Sequence, residues 1–541
     1  MLGLMQQLPL LTSSFIQYAD RWHGEREIVS RLPDGALHRY TYSDAHRRAK
    51  RVANVLQQWG VVPGERVATL AWNTHRHFEL YYGIGGCGAV THTINPRYTP
   101  EQITYIVNHA EDTYLFFDST FLPLVEAIAP HCPSVKGFVL MVGPEQMPQQ
   151  TSLPNLHSYE SLLDNISERF EWPSFDENRT ASLCYTSGTT GNPKGVAYSH
   201  RSTSLHALVA CMPNAMGLGR QDCVLPVVPL FHINAWELPY SCAMAGAKLV
   251  LPGPNLDGES LYQLMESEGV TVTAGVPTIW NGLLNYVEAN GLSFSTLKKV
   301  GTGGSACPKA TTRVLHEKHG LQVMHGWGMT ETSSLVTLNT ATAKEQGIGM
   351  EDYCDLMAMQ GPPVWGSDIK VVDEQGGEMP RDGKSAGELM VKGHWICSEY
   401  YQKGERALNE DGWFATGDVA VITPEGNLHL TDRLKDMIKS GGEWISSVEL
   451  EDIAMAHPKV EQAAVIGVAH PKWDERPLLI VKTKAGEDVS KQALLNSFEG
   501  NIAKWSMPDD VIFLQELPLG ATGKIHKLTL REQFKNHYCR D

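Results

Sequence analysis

Positive charge is scarce in this chain: 45 Lys and Arg stand against 61 Asp and Glu, for a formal charge of −16 at pH 7. That balance argues against non-specific binding to nucleic acid or anionic membrane, which wants basic patches. No apolar run approaches the roughly 20 residues of a membrane helix, so no membrane span is expected. The N-terminal stretch MLGLMQQLPLLTSS is apolar but lacks a basic leader, which argues against a secretory signal. The ten cysteines, scattered from Cys87 to Cys539, include no CxxC pair and no His/Cys spacing suited to zinc. Inert thiols in a reducing cytoplasm are the expectation, and the protein is assigned to that compartment. Internal repeats and low-complexity tracts are also missing from the sequence.

The rest is ordinary globular composition, 42% hydrophobic and 20% charged. At 541 residues a single core does not suffice, and several lobes are expected. ERVATLAW (65–72), AVTHTI (89–94), TYLFFD (113–118) and VKGFVLMV (135–142) read as buried strands separated by helical patterns. One of those helices, TPEQITYIVNHA (99–110), opens on Thr99, Pro100 and Glu101, a helix-start signal. Residues 144–180 read as surface connection. The alternation then resumes through DCVLPVVPL (222–230), a helix over INAWELPYSCAMAG (233–246), AKLVLP (247–252), VTVTAGV (270–276), LKKVGTGG (297–304) and LQVMHGWG (321–328). This texture predicts an α/β protein with mostly parallel, doubly wound sheets. From about residue 365 short alternating strands predict a β-rich lobe, LKDMIKSGGEW (434–444) a hinge region, and the last hundred residues a separate α+β unit.

The stretch YTSGTTGNPKG (185–195) interleaves Gly188, Gly191 and Gly195 with Thr186, Ser187, Thr189 and Thr190, and Lys194 stands near its end. Such a loop suits a polyphosphate, through close backbone N–H groups, hydroxyl donors and one ammonium. It is not the Walker A pattern, because Pro193 and Gly195 flank the lysine. On composition alone a flexible surface turn fits as well. Ligands of open α/β sheets lie beyond the carboxyl ends of strands, which places GGS (303–305) and HGWGMTE (325–331) beside a ligand.

Seven segments together, YTSGTTGNPKG, PLFHINAW (229–236), GGSACPK (303–309), HGWGMTE, FATGDVA (414–420), DRLKDMIKSGGEWISSVELE (432–451) and GATGK (520–524), resemble the adenylate-forming superfamily of acyl-CoA synthetases, luciferases and peptide-synthetase adenylation domains. Their order and spacing span nearly the whole chain. HTINPR, FHINAW, AGVPT and HPKWDERP are similar to bacterial medium- and long-chain fatty-acid CoA ligases and to 3-methylmercaptopropionate CoA ligases. The resemblance implies AMP-forming, Mg²⁺- and ATP-dependent ligation of a fatty acid, medium to long in chain, to CoA through an acyl-adenylate. The alternatives are a small acid such as 3-methylmercaptopropionate, or loading of a carrier protein. It further implies a homodimer, and an N-terminal domain over 1–433 made of two doubly wound subdomains plus a β-rich lobe at about 365–433. A hinge at 434–439 would lead to a small mobile α+β domain over 440–541.

Residue roles follow from the same resemblance. Lys194 and its loop hold the β- and γ-phosphates, and Thr186 and Glu331 ligate Mg²⁺. Gly303, Gly304 and Ser305, with His325, Gly326, Trp327, Gly328, Met329 and Thr330, line the nucleotide, Trp327 by stacking on adenine. Asp418 and Arg433 take the ribose. Lys435, Lys439 and Trp444 contact the nucleotide as well, with Lys435 as the pivot. Lys524 reaches the α-phosphate and the substrate carboxylate. Leu519 and Gly520 depart from the basic residue and Thr that similar proteins often carry there. His232, Ile233, Trp236, Val276 and Gly303 form the acyl pocket, His232 lying beside the carboxylate. His232 and Trp236 are four apart, one helical turn if the helix begins early. Trp236 reads equally as a gate or as core packing, and Trp395 as a pocket border or core. Ser440, Gly441 and Gly442 would line the CoA channel after rotation of the small domain.

Overall fold

Fully buried strands such as Tyr114–Phe117 and Gly137–Leu140 carry runs of apolar side chains on both faces, as strands of a covered parallel sheet do. The computed structural model describes residues 1, 3–186, 192–342, 345–441, 443–484, 486–520 and 524–539. Among them the strands form sheets of seven, eight, four and five strands.

The seven-stranded sheet runs Leu156–Ser158, Gly137–Leu140, Tyr114–Phe117, Arg66–Leu70, Val90–Thr93, Thr180–Tyr185 and Gly195–Ser199. It is parallel except for its last strand, which turns back beside Thr180–Tyr185. The eight-stranded sheet runs Thr337–Thr340, Gln322–Trp327, Lys299–Thr302, Val272–Gly275, Cys223–Pro226, Lys248–Leu251, Glu27–Arg31 and Leu37–Thr41. Only its two edge strands are antiparallel. Ser367–Val372, Gly387–Gly393, Phe414–Ile422 and Leu428–Arg433 make the expected antiparallel lobe. The last sheet pairs Val460–His470, Asp474–Thr483 and Asp510–Phe513 with the hairpin Ile438–Ser440/Glu443–Ile445. No described helix is long and apolar enough to cross a membrane.

The helix Pro100–Ala110 starts on a capping box between Thr99 and Gln102. Two other readings need correction. Residues 144–180 are not mere surface connection: they supply the edge strand Leu156–Ser158 and the helix Tyr159–Leu163. There the fully buried Tyr159 donates to Glu79 (2.7 Å), itself paired with Arg48 (2.8 Å), so a polar network fastens this segment to the core. The helix foreseen over 233–246 is the shorter Leu238–Ala245. Ile233, Ala235, Trp236 and Glu237 before it have φ between 40° and 60°, so this turn winds left-handed. For bulky residues such backbone costs about 1–3 kcal/mol each and persists only where the surroundings hold it. His232 and Trp236 therefore do not share a right-handed helical face.

Candidate active site

Several strand ends of the large domain and Lys524 of the small domain converge. The hairpin Thr180–Tyr185/Gly195–Ser199 closes its loop with Tyr185 opposite Gly195. At the neck the Thr186 N–H donates to the Lys194 carbonyl (2.9 Å), and the Lys194 N–H to Thr186 Oγ1 (3.3 Å). Ser187, Gly188, Thr189, Thr190 and Gly191 lie outside the described residues. The Lys194 ammonium sits 4.7 Å above the ring of Tyr400, whose hydroxyl donates to Glu331 Oε1 (2.8 Å). Tyr400 thus connects the loop lysine to the carboxylate. The sequence reading missed it; the aromatic pair in SEYYQKG, in a segment without strand or helix period, was the available sign.

Glu331 is buried in the turn Thr330–Thr332. Tyr198 donates to the Thr330 carbonyl (2.7 Å) and the Cys397 N–H to that of Glu331 (2.7 Å). Burial pushes the Glu331 carboxyl above the usual carboxylate range, against the pull of Tyr400, Arg433 and Lys194. The turn doubles back so tightly that a Cβ on Gly328 would stand 1.4 Å from the Ser334 carbonyl oxygen, so this position admits only glycine. Met329 donates its N–H to Thr332 Oγ1 (2.9 Å) within the same turn. On the outgoing arm Leu335 is clamped, its N–H on His206 Nε2 (3.2 Å) and its carbonyl on Trp395 Nε1 (2.9 Å). Trp395 is buried and therefore holds this loop from the core. His325 is buried too, with Nδ1 3.0 Å from the Met357 carbonyl oxygen.

Asp418 and Arg433 stand directly opposite each other on neighbouring antiparallel strands. Arg433 Nε lies 2.8 Å from Asp418 Oδ1, a close ion pair whose N–H is not aligned for a hydrogen bond. The Trp327 indole donates to Oδ2 (2.9 Å). Trp327 is buried in the core of the β-rich lobe, so here its ring orients the Asp418 carboxylate from behind.

Lys524 arrives from the small domain. Leu519 bridges to Ile525, and the Gly520 N–H donates to the Lys524 carbonyl (2.7 Å), which ties Lys524 to the chain before residues 521–523, themselves outside the described residues. Lys524 Cε lies 3.8 Å from where a Cβ on Gly304 would be. The residue as a whole is exposed, but its ammonium is crowded by protein. That crowding, with Arg433 and Lys435 outweighing Asp418, brings it down to about 8. Burial, helped by Lys524 and Arg97, likewise pushes His232 down to about 4, so the imidazole is neutral at pH 7.

Around the same corner, the Trp236 ring edge lies 3.4 Å from the position of a Gly303 Cβ, and Val276 Cγ1 3.4 Å from that of Gly304. Ile233 is buried alongside and Ser305 is exposed. In the hairpin after the linker, Lys439 stands opposite Trp444 with its ammonium 5.7 Å from the ring. Ser440 is buried, accepting from Arg476 (3.0 Å); Gly441 has φ 58°, and Gly442 is outside the described residues. Burial lowers Lys435 at the linker.

The lowered Lys524 gives a pH signature. A lysine at 10.5 when free and about 8 when docked releases its proton on docking, so docking strengthens as pH rises between these values. Protease cleavage of the 434–439 linker in nucleotide-free protein should slow across that window. An identical response in Lys524→Ala would remove the assignment.

Residues 15–401 match the family model for AMP-binding enzymes, and residues 449–524 that for the AMP-binding enzyme C-terminal domain. The chain is 51% identical to a 3-methylmercaptopropionyl-CoA ligase of Ruegeria lacuscaerulensis, over 99% of each chain. It is 47% identical to a medium-chain-fatty-acid–CoA ligase of Ectopseudomonas oleovorans, over 99% of this chain and 98% of that one. Among solved structures, the anthranilate CoA ligase AuaEII in complex with anthranoyl-AMP superposes with a TM-score of 0.87 at 25% identity, over 99% of both chains.

Proposed function

Because this chain belongs to the AMP-binding enzyme family and is an AMP-forming acid–CoA ligase, we propose that its acid is a short, unbranched apolar carboxylate. The supporting observation is Trp236. Its indole edge lies 3.4 Å from where a Cβ on Gly303 would stand, and in this reading that ring walls the acyl site close to the carboxylate. 3-Methylmercaptopropionate, named in relatives 51% and 50% identical, has that length and polarity. A medium or long chain would need the indole to swing away, and the left-handed turn that carries Trp236 is the element that would have to rewind.

Comparing kcat/KM for straight-chain acids of two to twelve carbons and for 3-methylmercaptopropionate decides between them. The short-acid reading expects a maximum at four to six chain atoms. Trp236→Ala should then move the optimum to longer acids and raise their kcat/KM about tenfold, in line with the 1–3 kcal/mol that a pocket methylene or two discriminates. An unmodified enzyme that prefers ten or more carbons would overturn the short-acid reading and leave the ligase intact.

In this reading Lys194 holds the terminal phosphates, Asp418 and Arg433 the ribose, and neutral His232 the acid. Lys524 neutralises charge as the carboxylate meets the α-phosphate. The lining residues 303–305, 325, 326 and 328–330, with Lys435, Lys439 and Trp444, keep their expected nucleotide contacts as part of the proposal, whereas Trp327, buried in the β-rich lobe, acts by holding Asp418 in place of the expected stacking on adenine. Mg²⁺ would be held by Glu331 and Thr186 Oγ1. The hard oxygens fit it, and a buried carboxylate disfavoured in its own charged form suits a cation partner. The described residues contain no cluster of three or more metal-binding His, Cys, Asp or Glu, so phosphate and water would complete the shell. When bound, the ion would neutralise phosphate charge. The domains over 1–433 and 440–541, the linker 434–439 as hinge, a CoA channel along Ser440 to Gly442, a homodimer and a cytoplasmic setting complete the reading.

A further inference from the structure

The strand Leu428–Arg433 ends the β-rich lobe, and its penultimate residue, Asp432, is buried. Asp432 Oδ2 accepts from the backbone N–H of Ser447 (2.6 Å), the first residue of the small-domain helix Ser447–Met455. The neighbouring Ser446 hydroxyl donates to the Thr431 carbonyl (2.5 Å). Behind them Lys527 donates to Ser447 Oγ (2.6 Å) and pairs with Glu451 Oε1 (2.6 Å), which also accepts from the Val465 N–H (2.7 Å). Lys527 is itself enclosed and held charged by Glu451, Asp432 and Asp436 together. It opens the helix Lys527–Phe534, three residues after Lys524. On the same helix Arg531 pairs with Asp436 of the linker (2.6 Å).

We propose that Asp432 is a positioning residue, the large domain's half of a latch that holds the Lys524 loop in the adenylating pose. Ser447, Glu451 and Lys527 belong to one rigid unit, since they are bonded to one another and to its sheet. Asp432 belongs to the other. Turning the small domain about the linker leaves the first three together and strips Asp432 from Ser447 and from the charge of Lys527. Charge-assisted, buried contacts of this type are the strong ones. The latch therefore favours one of two poses and does not stabilise both alike. The inference rests on the proposal that Lys524 serves adenylation alone and leaves for thioester formation.

Asp432→Asn keeps the size and one acceptor for the Ser447 N–H but removes the charge facing Lys527; Lys527→Met removes the other side. Each should slow pyrophosphate release from acid and ATP at least tenfold while thioester formation from supplied acyl-AMP and CoA stays unchanged or rises. Without nucleotide, each should speed tryptic cleavage in the linker at least threefold, with no matching fall in Tm. Equal loss in both half-reactions, or linker cleavage unchanged in both variants, would overturn the latch. Lys524→Ala run alongside separates the two ideas. If it slows both half-reactions equally, the domain-turning reading fails, and linker cleavage still tells whether Asp432 holds the docked pose.

Discussion

Lys524→Ala is expected to slow acyl-adenylate formation about 10²–10³-fold while leaving thioester formation from supplied acyl-AMP within about twofold of the unmodified enzyme. The first number follows from position. Adenylation drives a carboxylate onto a phosphate, anion against anion, and Lys524 is the cation that the small domain brings to Gly304, within electrostatic reach of Asp418 and Arg433. Its own environment disfavours the charge: burial and the neighbouring Arg433 and Lys435 bring it to about 8. An ammonium held against that tendency gains most when negative charge collects before it, which is how binding strengthens toward a transition state. The second number follows from the domain that carries it. The segment from Leu519 to Ile525 reaches the site only with its domain, so a domain that has turned away takes the lysine with it. Pyrophosphate release and CoA-dependent AMP release, measured separately, check both. Equal losses in the two half-reactions would contradict the account.

How much of this the sequence disclosed depended on the range of the interaction. Strand alternation exposed both parallel sheets and the β-rich lobe, because burial on two faces writes a continuous apolar run into each strand. It could not show that the hairpin Glu27–Arg31/Leu37–Thr41 joins the second sheet beside Lys248–Leu251, since that pairing spans more than two hundred residues. Glycine-rich strings marked the chemistry because a backbone that must double back, as at Gly328 against Ser334, tolerates no side chain. Supporting side chains carry no such mark. Tyr400 beneath Lys194 and His206 against Leu335 are ordinary aromatic residues until the fold places them, and Trp395 reads equally as pocket border or core until its indole is seen on the Leu335 carbonyl. The left-handed turn at Trp236 was hidden for a related reason. Its residues have right-handed preferences, and the tertiary setting, with Ile233 and Ala235 buried in the core, overrides them.

Glu331→Gln should cost about 10²-fold in adenylation at ordinary Mg²⁺, yet leave the fold no less stable. Glutamine keeps the volume and an acceptor for the Tyr400 hydroxyl, so the turn Thr330–Thr332 and its bonds to Tyr198 and Cys397 remain. What is lost is the charge. The sign of the stability effect follows from burial. The carboxyl of Glu331 lies above its unfolded value of 4.5 in the fold, so the folded state binds its proton more tightly than the unfolded state does. Stability contributed by the neutral form is present below that value and is lost as pH rises through the folded one; at pH 7 the charged side chain is a burden. A neutral isostere removes that burden, and Tm at pH 7 should hold or rise by a few degrees, while at pH 4 the two proteins should converge. Lower activity combined with equal or greater stability is what a cation site predicts, because at such a site the bound ion would balance the buried charge. Raising Mg²⁺ should recover part of the lost rate, and the half-reaction with supplied acyl-AMP should be spared. A variant with lowered Tm and unaltered Mg²⁺ dependence would make Glu331 a structural anchor of its turn, and the cation would have to be sought elsewhere.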